Sequence, residues 1–196
     1  MLELILMILR FITLIISVLG YIMLARQLLS IHPKFGWIFV LSAITCILYF
    51  SGLAGLLLYA SYTVFVLGLV LFVWFFATGK RGLLFQLKAL NLLNTVFLLG
   101  FGVIFASLIT TRYLHYDNFS HWGLVVKYML LTDAFPNAAS AIIDFKTYPL
   151  GSSTFLYYVC KIAGSSEGVM LAAQASLIFA CFYAMFGVIR DTKRFL

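Results

Sequence analysis

The chain of 196 residues is 64% hydrophobic and only 10% charged, with a mean hydropathy of +1.11 and a formal net charge of +7. A soluble domain carries roughly 25% charged residues, and one of this size has no interior able to hide so much apolar surface. Composition therefore excludes a water-soluble globular fold and points to an integral membrane protein.

A helix needs roughly 20 apolar residues to cross a bilayer core. The first such run is about Leu4–Leu24. It competes with a signal peptide, but no basic leader and no small-x-small cleavage site precede Arg26, so a retained span is the better reading. Arg10 lies inside this run, with a stem long enough to snorkel to an interface. Phe35–Thr78 is too long for one span and predicts two, turning near Leu57–Tyr62. Leu92–Thr111 and Gly168–Ile189 complete the set. These runs are continuously apolar and do not alternate with period two, so helices rather than a barrel are expected. The expected fold is all-α and polytopic, with about five transmembrane helices and interfacial helices in one loop. Gly52, Gly55, Gly68, Gly100 and Gly102 are expected to let spans approach closely. Residues 1–91 read as a region of about three spans, and residues 92–196 as a span, a long loop, a span and a basic tail.

Charge sets the expected topology. Arg26 and Lys34, then Lys80, Arg81 and Lys88, then Arg190, Lys193 and Arg194 face a single acid, Asp191, across three connections. Between residues 112 and 167, Arg112, Lys127, Lys146 and Lys161 balance Asp117, Asp133, Asp144 and Glu167. The positive-inside rule puts the three basic connections in the cytoplasm, and the 112–167 loop and the N-terminus outside. The net charge is then a matter of topology and needs no nucleic-acid partner. Leu150–Ala163 is short and carries Lys161, so it is expected to lie at the outer interface rather than cross.

The polar residues concentrate in that loop. Phe119, Trp122, Val126, Met129 and Leu130 recur near helical spacing, as in an amphipathic helix on a membrane. Asp117 precedes it and His121 follows four residues later on the same side; Asp133, Pro136 and Asn137 should end it. Asp144–Ser153 forms a second polar patch before another aromatic helix, Thr154–Ile162. Taken singly these features have plain structural readings. Asp117 suits a helix N-cap, Trp122 and the tyrosines an interfacial belt, His115 and His121 a polar surface, and Tyr148-Pro149-Leu150-Gly151 a turn before a helix. Of the three cysteines, Cys46 and Cys181 lie in apolar runs and read as buried hydrophobes; with Cys160 they make no metal-ligand spacing.

In this order, however, Tyr116-Asp117-Asn118-Phe119-Ser120-His121-Trp122 after a span, then Lys127, then Tyr148-Pro149-Leu150-Gly151-Ser152, resemble the first outer loop of GT-C glycosyltransferases. The resemblance is to uncharacterised bacterial members and covers about Leu92–Ile189. It implies a bacterial cytoplasmic membrane enzyme that moves a sugar from a polyprenyl-phosphate carrier to a cell-envelope acceptor on the outer face. Asp117 takes the place of the family's loop carboxylate, as general base toward the acceptor hydroxyl. His121 is the implied proton donor or hydrogen-bond partner, and Lys127, Lys146 and Arg112 are the cations near the leaving phosphate. Tyr148 and Pro149 match the proline-containing turn that shapes the pocket. Asn118 stands where many relatives carry a second acid, so no metal or other cofactor is expected. GT-C enzymes commonly have more spans, which makes this chain resemble the N-terminal, truncated portion of one, with further transmembrane helices as partners alongside membrane lipid. The competing reading is a small non-catalytic membrane protein that packs within a larger envelope or lipid-handling complex. A channel or transporter ranks third, because the spans lack an intramembrane acid.

Overall fold

The computed structural model describes residues 2–80, 92–120, 122–138, 140, 142–143 and 148–188. Over these residues the chain folds into helices and contains no strand. In order they are α1 (Leu2–Leu29), α2 (Pro33–Leu53), α3 (Leu57–Ala77), α4 (Leu92–Leu108), α5 (Tyr116–Ser120), α6 (Trp122–Thr132), α7 (Gly151–Ala163) and α8 (Glu167–Val188). Helices α1, α2, α3 and α8 are each long and apolar enough to cross a membrane. With 17 residues, α4 is shorter and reaches about 25 Å at 1.5 Å per residue. The all-α polytopic architecture expected from composition is the one observed.

The turn between α2 and α3 falls at Ala54–Leu56, ahead of the expected Leu57–Tyr62. Gly55 is the reason: it takes φ +73°, and the amides of Ala54, Gly55 and Leu56 fold back onto the carbonyls of Phe50, Gly52 and Ser51. A glycine in this left-handed conformation satisfies the last carbonyls of a helix and stops it. Gly55 is thus a turn residue, not a packing one.

Close helix approach occurs elsewhere. A Cβ on Gly68 of α3 would strike Ser17 of α1, and one on Gly20 would strike the Gly68 carbonyl. With the backbones this close, side chains hydrogen-bond across the pair: Ser17 Oγ donates to the Phe65 carbonyl and Tyr21 Oη to that of Val64, each at 2.8 Å. In a lipid solvent, where apolar burial does not drive helices together, such contacts hold a pair. Gly52 meets the ring of Phe135 from the loop. Among the described residues Gly100 and Gly102 pack closely against nothing; the nearest such atom to a Cβ on Gly100 is 3.9 Å away, and on Gly102 none lies within 4 Å. Cys46 and Cys181, expected to be buried, are exposed on α2 and α8, and Cys160 of α7 is the buried one.

The bundle has two chemically different ends. At one, Lys34 Nζ donates to the Phe186 carbonyl at the end of α8 (2.9 Å), and Lys80 Nζ to Gln27 Oε1 (3.2 Å). At the other lie the start of α1, the α2–α3 turn, the end of α4, and α5 to α7. Phe135 touches Gly52 and lies tilted against Tyr49, ring centroids 5.5 Å apart, while Gly168 at the start of α8 abuts the Ile109 carbonyl.

Helix α7 forms where the sequence placed a non-crossing helix, and its 13 residues are too few to cross. It does not lie open to the lipid, however. Nine of its residues are buried, Tyr157 and Tyr158 completely, among α1, α2, α6 and α8. Burial pushes the Cys160 thiol up to about 12, far from a reactive thiolate.

Candidate functional site

The loop following α4 opens with Tyr113, whose buried ring organises what surrounds it. Its hydroxyl donates to Met170 Sδ (2.9 Å), its ring meets Phe119 edge-on (6.1 Å), and its backbone N–H donates to Glu167 Oε2 (2.8 Å). Glu167 Oε1 accepts from Lys127 Nζ at 2.5 Å, and that ammonium also lies 5.4 Å from the Tyr113 ring centroid. One carboxylate at the start of α8 therefore fastens α6 and the chain leaving α4. Gly123 permits this, because a Cβ there would strike the Tyr113 ring.

A second clasp closes the other end of α6. Asp133 ends the helix with φ +54°, a conformation Asp tolerates better than most residues. Its Oδ1 accepts from Tyr157 Oη (2.6 Å) and Lys161 Nζ (2.5 Å), both on α7, and Lys161 also donates to the Leu130 carbonyl (3.2 Å). Burial alone would raise the Asp133 carboxyl, but the hydrogen bonds from Lys161 and Tyr157 outweigh it and hold the group below its ordinary 3.8. Reciprocally, burial and the Asp133 carboxylate push the Tyr157 phenol upward.

Asp117 stands apart from both clasps. It lies within the first turn of α5 rather than at an N-cap, since the helix begins one residue earlier at Tyr116. Its side chain is 52% exposed, and its neighbour is His115, whose Nδ1 lies 3.4 Å from Asp117 Oδ2 and 3.3 Å from the Asp117 amide. That nitrogen serves one of the two at a time: carrying a hydrogen it donates to the carboxylate, and without one it accepts from the amide. Trp122, at the start of α6, faces Tyr148 with ring centroids 5.9 Å apart, which brings the exposed Tyr148–Pro149 turn to the same helix.

The residues singled out in the sequence thus fall into two groups. Asp117, Tyr148 and Pro149 belong to the exposed rim around α5 and the start of α6. Lys127 is committed to Glu167 rather than to Asp117, and Arg112 lines an open cleft of about 590 Å³ that Asp117 does not line. His121 and Lys146, like Asp144, lie outside the described residues. Sequence reasoning gave neither Tyr113 nor Glu167 a role of its own. The available signal was Ser165-Ser166-Glu167 ahead of an apolar run, a helix start in which Ser166 Oγ accepts from the Val169 amide at 3.2 Å.

Among the described residues, no three His, Cys, Asp or Glu side chains come together as metal ligands. Comparison with known proteins finds no matching family model, no similar curated protein and no similar solved structure.

Proposed function

We propose that the chain is a membrane glycosyltransferase of GT-C type, or the N-terminal portion of one. It transfers a sugar from a polyprenyl-phosphate carrier to a cell-envelope acceptor on the outer face of a bacterial cytoplasmic membrane. The observation that carries this reading is the state of Asp117. Among the described acids of the loop it alone is not held by a lysine, and it is open to solvent beside an imidazole at the rim of the bundle. A carboxylate so placed is available to take the proton of an acceptor hydroxyl as its oxygen bonds to the anomeric carbon. The bond from that carbon to the phosphate oxygen breaks, and the phosphate leaves with the electron pair. Lys146 is the proposed cation for that phosphate, with Lys127 held back by Glu167 and Arg112 given to a cleft that Asp117 does not line. His121 is the proposed partner of Asp117, and Tyr148 and Pro149 border the acceptor side.

The test is sugar transfer by membranes containing the chain, supplied with radiolabelled polyprenyl-phosphate sugars, beside Asp117→Asn. Label reaching an acceptor with the wild type alone supports the assignment; equal transfer by the variant sinks it.

One observation favours a second reading, a non-catalytic membrane protein within a larger complex. Lys127 and Lys161 are both spent on fastening loop helices, as in a loop built for rigidity. That reading expects co-purification with a larger membrane assembly that is indifferent to Asp117→Asn.

A further inference from the structure

We propose that the cleft between the start of α1, the end of α4 and the α7–α8 turn binds the phosphate of a lipid headgroup. This site is built by residues other than Asp117 and stands whether or not the chain transfers sugars.

The cleft, of about 590 Å³, has the size of a small-ligand site and is lined by Arg10, Arg112, Ser165, Ser166, Glu3 and Glu167 among others. Charge decides what it takes. Glu167 is paired with Lys127 and accepts from the Tyr113 amide, and Arg112 adds to the positive field on it, so the two arginines face Glu3 and a carboxylate already held by a lysine. Among the described residues neither arginine forms an ion pair with a carboxylate. Guanidinium forks pair bidentately with phosphate oxygens, and two of them can hold one phosphate group from two sides. Glu167 and Gly168 line the same cleft, and their amides belong to the first turn of α8, where a helix has no internal acceptor for them. Two independent sources of donors therefore converge on one opening.

The cleft's place in the bundle points to a lipid as the source of that phosphate. Met7 and Ile109 form part of its wall. Beyond it, α1 and α4 meet at Phe11 and Phe105, ring centroids 4.8 Å apart, and the exposed Leu6, four residues before Arg10, lies on the same side of α1. A headgroup in the cleft thus has an apolar wall beside it for its acyl chains, whereas a free anion gains nothing from that wall. The same placement accounts for an arginine inside an apolar span, because the Arg10 stem runs along hydrocarbon while its head meets the headgroup layer.

The experiment is native mass spectrometry of the full chain released from detergent micelles doped with equal amounts of phosphatidic acid and diacylglycerol of the same acyl composition. The expected result is one retained phosphatidic acid in preference to diacylglycerol. Retention should drop by about tenfold or more in Arg10→Gln/Arg112→Gln, the loss of charge-assisted hydrogen bonds, and stay unchanged in Lys80→Gln at the opposite end. Equal retention of the two lipids by the wild type overturns the proposal, and this arm needs no variant to fold. Retention unchanged in a folded double variant overturns it as well. Displacement of the lipid by millimolar inorganic phosphate overturns the lipid assignment in favour of a free-anion site.

Discussion

Two parts of the same loop use the same functional group to opposite ends. At Asp133 and Glu167 the carboxylate is partly shielded, meets a lysine at 2.5 Å and accepts a further hydrogen bond, so it ties one helix to another. At Asp117 the carboxylate is half exposed, sits on a helix of five residues and has a histidine as its neighbour. The lesson is that reactivity and fastening compete for an acid. A carboxylate held by an ammonium and a second donor is a weak base and a good rivet, whereas one left to water keeps its capacity to take a proton.

The strongest way to break this contrast is Asp117→Asn. Under the proposed function it lowers sugar transfer by about 10²-fold or more, the usual worth of a positioned base, while the thermal unfolding midpoint in detergent stays where it was. A variant that unfolds early would put Asp117 with the rivets. The converse variant, Glu167→Gln, removes the charge that holds Lys127 and weakens the acceptor of the Tyr113 amide. Because Lys127 is 41% exposed, water screens part of the pair, and a loss of about 1–2 kcal/mol is expected in reversible unfolding. Hydrogen exchange should rise first in α6.

The acid limb of stability sharpens the comparison further. The Asp133 carboxyl is depressed in the fold, so its contribution is present above its ordinary value of 3.8 and is lost as pH falls through the folded value. Unfolding midpoints measured downward from about pH 5 should fall in the wild type, and less steeply in Asp133→Asn. The smallest effect is expected from Tyr157→Phe, which removes one hydrogen bond to Asp133 and leaves the Lys161 pair in place. Its cost is about 1 kcal/mol, read as a lowered midpoint near neutral pH.

Much of the scaffold was legible in the sequence. The spans announced themselves because each has to meet hydrocarbon along its own length, a local requirement. Asp133 stopped α6 and Pro149 preceded α7 as their chemistry suggested. The candidate site was less legible. The partners that fix the roles of Lys127 and Lys161 lie 40 and 28 positions away along the chain, at Glu167 and Asp133. Nothing in local spacing joins Arg10 to Arg112 across one cleft.

The amino-acid sequence by itself determined that this is a polytopic helical membrane protein, roughly which runs become its long helices, and that its polar chemistry gathers in one loop. Only the tertiary structure decided which faces are buried. Of the span glycines singled out, Gly52 and Gly68 rather than Gly100 pack closely, Cys160 rather than Cys46 or Cys181 is enclosed, and α7 is packed among helices on most of its surface. The physical reason is that lipid tails and protein interiors are alike apolar, so a helix that is apolar all round carries no pattern to tell one from the other.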